Sequence, residues 1–464
     1  MINKFLFKLN FSLLSLTLFK MKQSVKFSFS VFIGALLLMF DSFFNGFPIV
    51  YSDTSTFIAS GFELQTPFDR PITYGLFLRF FSLNGLSLWL VVFTQALIVS
   101  FLLILLVKTI INHKNYLLIA IVSILLLSLF TGLSWTVCQL IPDIFTSIAL
   151  MCLILLLFGK TQKTTTFLLF IIFVISIAMH ISHILMFVTI LVSIFIFKKR
   201  FFAVQENPHL NRTLSILILL TIASVFTMGS AISKSKHVFF MGAMVEHGIL
   251  KKYLDENCSH QNFKLCAFKD SLPAKAYQFV WDEKSPLYKV GGWSDSKQEF
   301  NQIITATLTQ PKYILLHFTE SLKATFQQLV NFKIGDGNGS FLEGTLLFER
   351  ISKYFTSDVS LYKTSKQNKT EVLFEKSWNL VFTFFIILSS ILLLYLLFLN
   401  KLMSKPNKSI FLVFMLGIII NAWDCGTFAN AIDRLGCKMM WLIPFMAIIG
   451  IQQVYQTWRL PTKN

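Results

Sequence analysis

Apolar residues run along this chain in long blocks parted by short polar stretches, covering residues 27–46, 87–107, 116–133, 144–158, 165–180, 184–198, 213–231, 377–399, 410–423 and 441–456. The blocks show no strict apolar–polar alternation. They are rich in Leu, Ile and Phe and poor in Gly and Pro, a pattern of helices and not of a β-barrel. A bilayer core takes about 20 helical residues. The blocks therefore predict an all-α membrane protein, a polytopic bundle of about ten transmembrane helices, some of them short or tilted. Two further stretches, YGLFLRFFSL from Tyr74 and YILLHFTESLKATFQQLVNF from Tyr313, place apolar residues at helical spacing. They predict amphipathic helices lying on the membrane or over the bundle.

The polar connections carry the orientation. Lys20, Lys22 and Lys26 precede the first block; Lys108, His113 and Lys114 follow the second; Lys160 and Lys163 the fourth; Lys198, Lys199 and Arg200 the sixth; Lys401, Lys405 and Lys408 the eighth. Arg459 and Lys463 end the chain. Every second connection is thus short and basic, which assigns it to the cytoplasm together with both termini, in the inner membrane of a cell. The organisation that follows is a cytoplasmic segment 1–26, an N-terminal transmembrane module 27–231 with an outer loop 47–86, one large extracytoplasmic region 232–376, a C-terminal transmembrane module 377–456 and a tail 457–464. Residues 1–20 read as an amphipathic surface helix or as an extension upstream of a start at Met21.

Composition agrees. Of 464 residues 55% are hydrophobic and 14% charged, where soluble domains carry about a quarter charged. The net charge of +18 would raise nucleic acid as a partner in a soluble protein. Here the basic loops meet anionic headgroups instead, so membrane lipids are expected as partners and nucleic acid is not. The cytoplasmic side holds no phosphate-binding glycine loop.

The residues with chemical potential gather on the opposite side. YSDTSTFIASGFELQTPFDRPITYG (51–75) holds Asp53, Asp69, Arg70 and Tyr74 in one outer loop. Each acid also has a plain reading: Asp53 at the start of a helix, and Asp69 before Arg-Pro, can cap free backbone N–H groups. Asp143 opens the fourth block and reads first as a cap. Asp41 sits at the end of the first block, where a carboxylate is costly unless paired or wetted. His180 and His183 share a helix face, suited to a metal or to phosphate oxygens. Arg434, beside Asp433 and Lys438, is either an interfacial anchor or a bidentate phosphate ligand. Among the cysteines, Cys258 with Cys266 and Cys425 with Cys437 are disulfide candidates on an oxidising side. Cys138 and Cys152 read as packing residues. A metal site from Cys258, His260 and Cys266 matches no zinc spacing.

An acid in the outer loop after the first helix (YSDTSTF), a Pro-x-x-Tyr element with an amphipathic helix (DRPITYGLFLRFF), a second acid at a later helix end and an arginine before the last span resemble the GT-C-type membrane glycosyltransferases. The resemblance covers architecture over most of the chain and local motif over about residues 41–85. It implies transfer of a sugar or sugar-like group from a polyprenyl-phosphate-linked donor to a glycan, lipid or protein acceptor. By position it implies Asp53 as catalytic base, Asp69 as the residue orienting the acceptor or holding a metal, and Arg70, His180, His183 and Arg434 as phosphate contacts, with Asp41, Tyr74 and Asp143 lining the site. The family's paired-acid motif is missing, so the divalent cation (Mg or Mn) it would hold stays an open cofactor. Competing readings are a transporter or flippase of a lipid-linked or anionic solute, a membrane O-acyltransferase using MHISH, and a non-catalytic envelope-assembly protein.

Overall fold

The computed structural model describes residues 22–111, 113–201, 208–370, 376–398 and 404–459. The surface helix expected in residues 1–20 lies outside them, as do Lys20, Lys401 and Lys463 of the basic flanks. Regular structure among the described residues is helical throughout, with an isolated parallel bridge between Ile49 and Gln139.

Among the described residues each apolar block is mostly helix: α1 (Gln23–Leu38) and α2 (Phe40–Asn45), α5 (Leu88–Ile110), α6 (Tyr116–Phe130), α8 (Ile144–Phe158), α9 (Lys163–Ala178), α10 (Ile181–Phe201), α11 (Pro208–Glu246), α13 (Lys376–Phe398), α14 (Lys405–Phe428) and α16 (Leu442–Arg459). The remaining elements near the site are α3 (Thr54–Glu63), α4 (Thr73–Phe81), α7 (Leu133–Cys138), α12 (Pro311–Val330) and α15 (Asp433–Met440). Five stretches are long and apolar enough to cross a membrane: Leu88–Ile110, Ile181–Lys198, Trp378–Leu397, Lys405–Phe428 and Asp433–Gln456. Within α11, Leu210–Phe226 and Ala231–Glu246 meet at 92° and make a sixth if counted as one span. α1, α6, α8 and α9 are apolar but only 10–17 residues long, about 25 Å at most. The expectation of about ten spans therefore exceeds what helix length alone supports.

The first block shows why. Its helix stops at Met39 because the backbone N–H groups of Asp41 and Ser42, which open α2, donate to Ser134 Oγ (3.0 Å) and Cys138 Sγ (3.3 Å) of α7. Caps borrowed from another helix satisfy the free donors of a new N-terminus. One apolar run thus becomes two helices at an angle set by tertiary contact.

α5 packs against α1, α6 and α8, α8 also against α9, and in α8 every residue from Ile144 to Leu155 is buried. Between apolar helices in lipid, close packing and hydrogen bonds supply the attraction, since lipid is as apolar as the partner helix. Ser100 Oγ donating to Val31 O (2.9 Å) between α5 and α1 is one such bond.

The polar region 232–376 divides between two cores. Val238, Met241, Leu250, Phe279, Phe300, Ile303 and Tyr313 build a small core of their own, entered by the end of α11. Ile334, Leu347, Ile351, Phe355 and Tyr362 instead join the main bundle core. α12 lies between them, its Ala324 backbone against Gly426 of α14 and its Leu315, Phe318, Phe326 and Val330 exposed.

Cys258 and Cys266 form a disulfide in the small core's loop. The second expected pair is not bonded. Cys425 and Cys437 are free and buried; Cys425 Sγ donates to Asn421 Oδ1, and Cys437 Sγ to Gly132 O. They sit on different helices, and each thiol is used in packing. Alkylation of the denatured, unreduced protein is expected to label the free set Cys138, Cys152, Cys425 and Cys437. Cys258 and Cys266 should take label only after reduction, as read by peptide mass spectrometry.

Candidate functional site

The segment before α3 is held from both sides. Ile49 N donates to Cys138 O and Leu140 N to Ile49 O, each at 2.9 Å. Val50 exchanges both of its backbone hydrogen bonds with the Gln367 amide, at 3.1 and 2.8 Å. Thr54 Oγ1 donates to Leu140 O at 3.1 Å. Asp53 is thereby fixed in position at the first turn of α3. Its carboxylate caps nothing, however; the capping reading of Asp53 fails because the side chain turns away from its own helix.

The turn is toward two arginines. Arg70 Nη1 stands 3.1 Å from Asp53 Oδ1, and Arg434 Nη1 stands 3.5 Å from Asp53 Oδ2. Arg70 also donates from Nε and Nη2 to Asp69 Oδ2 (2.9 and 2.6 Å). Arg434 Nε faces Asp143 Oδ2 at 3.5 Å, an ion-pair distance at which neither atom makes a hydrogen bond. Asp143, like Asp53, opens a helix without capping it. The acids expected as caps are therefore partners of guanidinium groups. Both arginines also rest on rings, Arg70 over Phe57 (5.2 Å) and Arg434 over Tyr51 (4.3 Å).

Backbone contacts make these meetings possible. α3 and α4 touch where a Cβ on Gly61 would come within 2.1 Å of Gly75 O, so only paired glycines let the two helices bring Asp53 and Arg70 together. The loop KIGDGNGS (333–340), whose glycines mark a flexible turn in the sequence, packs against Tyr51. Gly337 has φ +70°, and a Cβ there would lie 1.6 Å from the Tyr51 ring. Asp336 Oδ2 from the same loop accepts from Arg434 N (3.0 Å) and Asp433 Oδ1 from Lys333 N (2.9 Å), so loop and α15 cap each other. Tyr51, Asp336 and Gly337 belong to the site and were not singled out by sequence. The glycine spacing was the available signal, and it carries no information about what the loop covers.

Burial is uneven. Asp69 and Asp143 side chains are 5% and 6% exposed, against 32% for Asp53. Asp53 is thus the carboxylate a solute can meet, although protein surrounds it on most sides. Desolvation pushes its pKa up, but Arg70 and then Arg434 outweigh that and hold it below the usual carboxylate range. For Arg70 burial works against the charge, yet Asp53 and Asp69 leave it more firmly protonated than usual.

The other expected site residues fall elsewhere. Asp41 is buried beside Ser134, and no hydrogen bond or ion pair joins it to Arg70 or Arg434 among the described residues. Tyr74 is fully buried, its hydroxyl donating to Gln95 Oε1 (2.8 Å) and its ring packed on Phe57 and Phe145, so it is a core residue. His183 is buried and satisfied: with Nδ1–H donating to Ser176 O (2.7 Å), Nε2 accepts from Thr146 Oγ1 (2.8 Å). It has no free nitrogen for a phosphate or a metal. His180, half-buried, accepts on Nδ1 from Ser182 N (3.2 Å), which leaves Nε2–H directed elsewhere, and it lies within electrostatic reach of Arg70, Arg434 and Asp53. No three His, Cys, Asp or Glu residues stand close enough to hold a metal among the described residues. With Asp53, Asp69 and Asp143 each facing a guanidinium, the arrangement does not fit the divalent cation considered from sequence.

Family models, curated proteins and solved structures contain no match to the chain.

What the arrangement does chemically is hold two fixed cations around one accessible, ionised carboxylate. Removing the shared carboxylate by Asp53→Asn should cost about 1–3 kcal/mol at neutral pH, between an exposed and a buried ion pair. Because the folded pKa lies below the unfolded value of about 3.9, this contribution is complete above that value and fades as pH falls through the folded one. The Tm difference between wild type and Asp53→Asn should hold steady from about pH 5 to 8 and shrink below about pH 4.

Proposed function

We propose that the chain is a membrane glycosyltransferase of GT-C type, moving a sugar or sugar-like group from a polyprenyl-phosphate-linked donor to an acceptor on the extracytoplasmic side of the inner membrane. The observation that carries this reading is the meeting of Asp53, Arg70, Asp143 and Arg434, drawn from four separated segments, at one end of a helical bundle. The alternation of short basic connections in the sequence supports reading this site as extracytoplasmic, with both termini inside.

The chemistry fits the groups present. Sugar transfer from a phosphate leaves anionic oxygen behind, so preorganised cations are needed where that charge grows. Arg70 and Arg434 are fixed, strongly protonated and able to hold phosphate bidentately. Asp69 and Asp143, both buried, keep each guanidinium in place. Asp53 accepts the proton of the acceptor hydroxyl as that oxygen attacks the sugar carbon and the bond from carbon to phosphate oxygen breaks. In the resting site its basicity is low, because two guanidiniums share it. An arriving phosphate offsets the charge of those guanidiniums where they stand, and the carboxylate regains basicity as the reacting groups assemble.

Positioned general bases contribute about 10²–10⁴-fold. Asp53→Asn should lower sugar transfer by that order, measured by mass spectrometry of carrier-linked lipids and products in membranes from cells complemented with each variant. Arg434→Lys keeps the charge but loses the planar fork and should fall between wild type and Asp53→Asn. Product at the wild-type level in Asp53→Asn would remove that residue from the mechanism.

A further inference from the structure

Three side-chain amides around the site repeat one arrangement. Val50 N donates to Gln367 Oε1 (3.1 Å) and Gln367 Nε2 to Val50 O (2.8 Å). Ile432 N donates to Gln328 Oε1 (3.1 Å) and Gln328 Nε2 to Ile432 O (2.9 Å). Ile334 N donates to Asn379 Oδ1 (2.9 Å) and Asn379 Nδ2 to Ile334 O (3.1 Å). Each time one carboxamide takes both backbone hydrogen bonds of a single residue, and that residue lies outside a helix. Gln328 and Gln367 are each 1% exposed, and Asn379 is half-buried.

The held residues are not scattered. Val50 stands three positions before Asp53, Ile334 two before Asp336 and Ile432 two before Arg434. Those three charged residues are linked in turn, since Asp336 accepts from Arg434 N and Arg434 faces Asp53. Gln367 also joins two of the segments directly, because its Nε2 donates to Gly339 O as well (3.1 Å). Backbone N–H and C=O groups taken from water must find partners. A carboxamide carries a donor and an acceptor in the geometry of a peptide group, so it can stand where a neighbouring strand would. A strand would pin a row of residues. A single amide pins one, and leaves the charged side chain two or three positions on free to face the site.

We propose that Gln328, Gln367 and Asn379 are positioning residues. They fix the segments carrying Arg434, Asp53 and Asp336, so that carboxylate and guanidinium stand at their working separation before any substrate arrives. Groups preset in this way need no rearrangement as charge develops. For the reaction this rests on the glycosyl-transfer reading; for the Asp53–Arg434 pair it rests on the hydrogen bonds alone.

The test is a thermal double-mutant cycle on the full chain in detergent, with farnesyl phosphate binding by calorimetry and sugar transfer in complemented membranes measured beside it. Gln367→Glu keeps the acceptor for Val50 N and removes the donor to Val50 O and Gly339 O. In that background the Tm loss caused by Asp53→Asn should shrink by at least about half, because the pair is no longer held in register. Gln328→Glu should show the same coupling from the Arg434 side. Gln367→Glu should bind farnesyl phosphate as wild type does, since Arg434 keeps its own clamp, while sugar transfer falls by about 10²-fold as the base is misplaced. Should Gln367→Glu not fold, Asn379→Asp at its half-buried position carries the same cycle. An Asp53→Asn penalty that is equal in wild type and in the amide variants overturns the proposal, since the amides would then support backbone without setting the pair. So does a Gln367→Glu protein that loses phosphate binding and transfer in equal measure. Coupling in the cycle with no sugar transfer by wild type would keep the positioning role and sink the transfer reading. Transfer that depends on Asp53 with additive Tm changes would do the reverse.

Discussion

One carboxylate shared by two guanidiniums holds the candidate site together. Asp53 comes from the loop before α3, Arg70 from the loop before α4 and Arg434 from α15, hundreds of residues later. Each charge alone would be expensive in these half-buried positions. Together they are affordable only in one geometry, because a carboxylate offers two oxygens and each guanidinium takes one. The backbone arrangement that surrounds them follows from that demand: Gly61 against Gly75 where α3 meets α4, Gly337 under Tyr51, and Asp336 capping the helix that carries Arg434.

The same constraint distinguishes supporting charges from exposed ones. Asp69 and Asp143 are buried and spend their oxygens on holding an arginine in place. Asp53 is held by both arginines yet remains a third exposed. A solute entering here meets an ionised oxygen flanked by cations, an environment suited to polarised and anionic groups.

The plain readings of single residues fared unevenly for a physical reason. A capping acid and an ion-pairing acid look alike in sequence, since both stand just before a helix. Asp53 and Asp143 stand there and cap nothing, because an arginine from elsewhere offers a stronger partner than a backbone N–H. The pair Cys425 and Cys437 looked equivalent to Cys258 and Cys266, but the first pair is placed on two helices whose packing separates the thiols. The polar residues Tyr74 and His183 were chosen for their chemistry and turned out to be consumed by it, each satisfied inside the core.

The sequence alone determined that the chain is helical and suited to a membrane. Hydrophobic periodicity and block length are local properties, and burial in lipid or in a bundle reads them the same way. It also determined which ionisable residues lie near helix ends, since charge is excluded from apolar runs. Only the tertiary structure decided that the first block breaks at Met39, that the 333–340 loop covers Tyr51, and that Asp53, Arg70, Asp143 and Arg434 share one site. Those facts depend on contacts between segments far apart in the chain, and no local pattern encodes the distance between two charges before the backbone has brought them together.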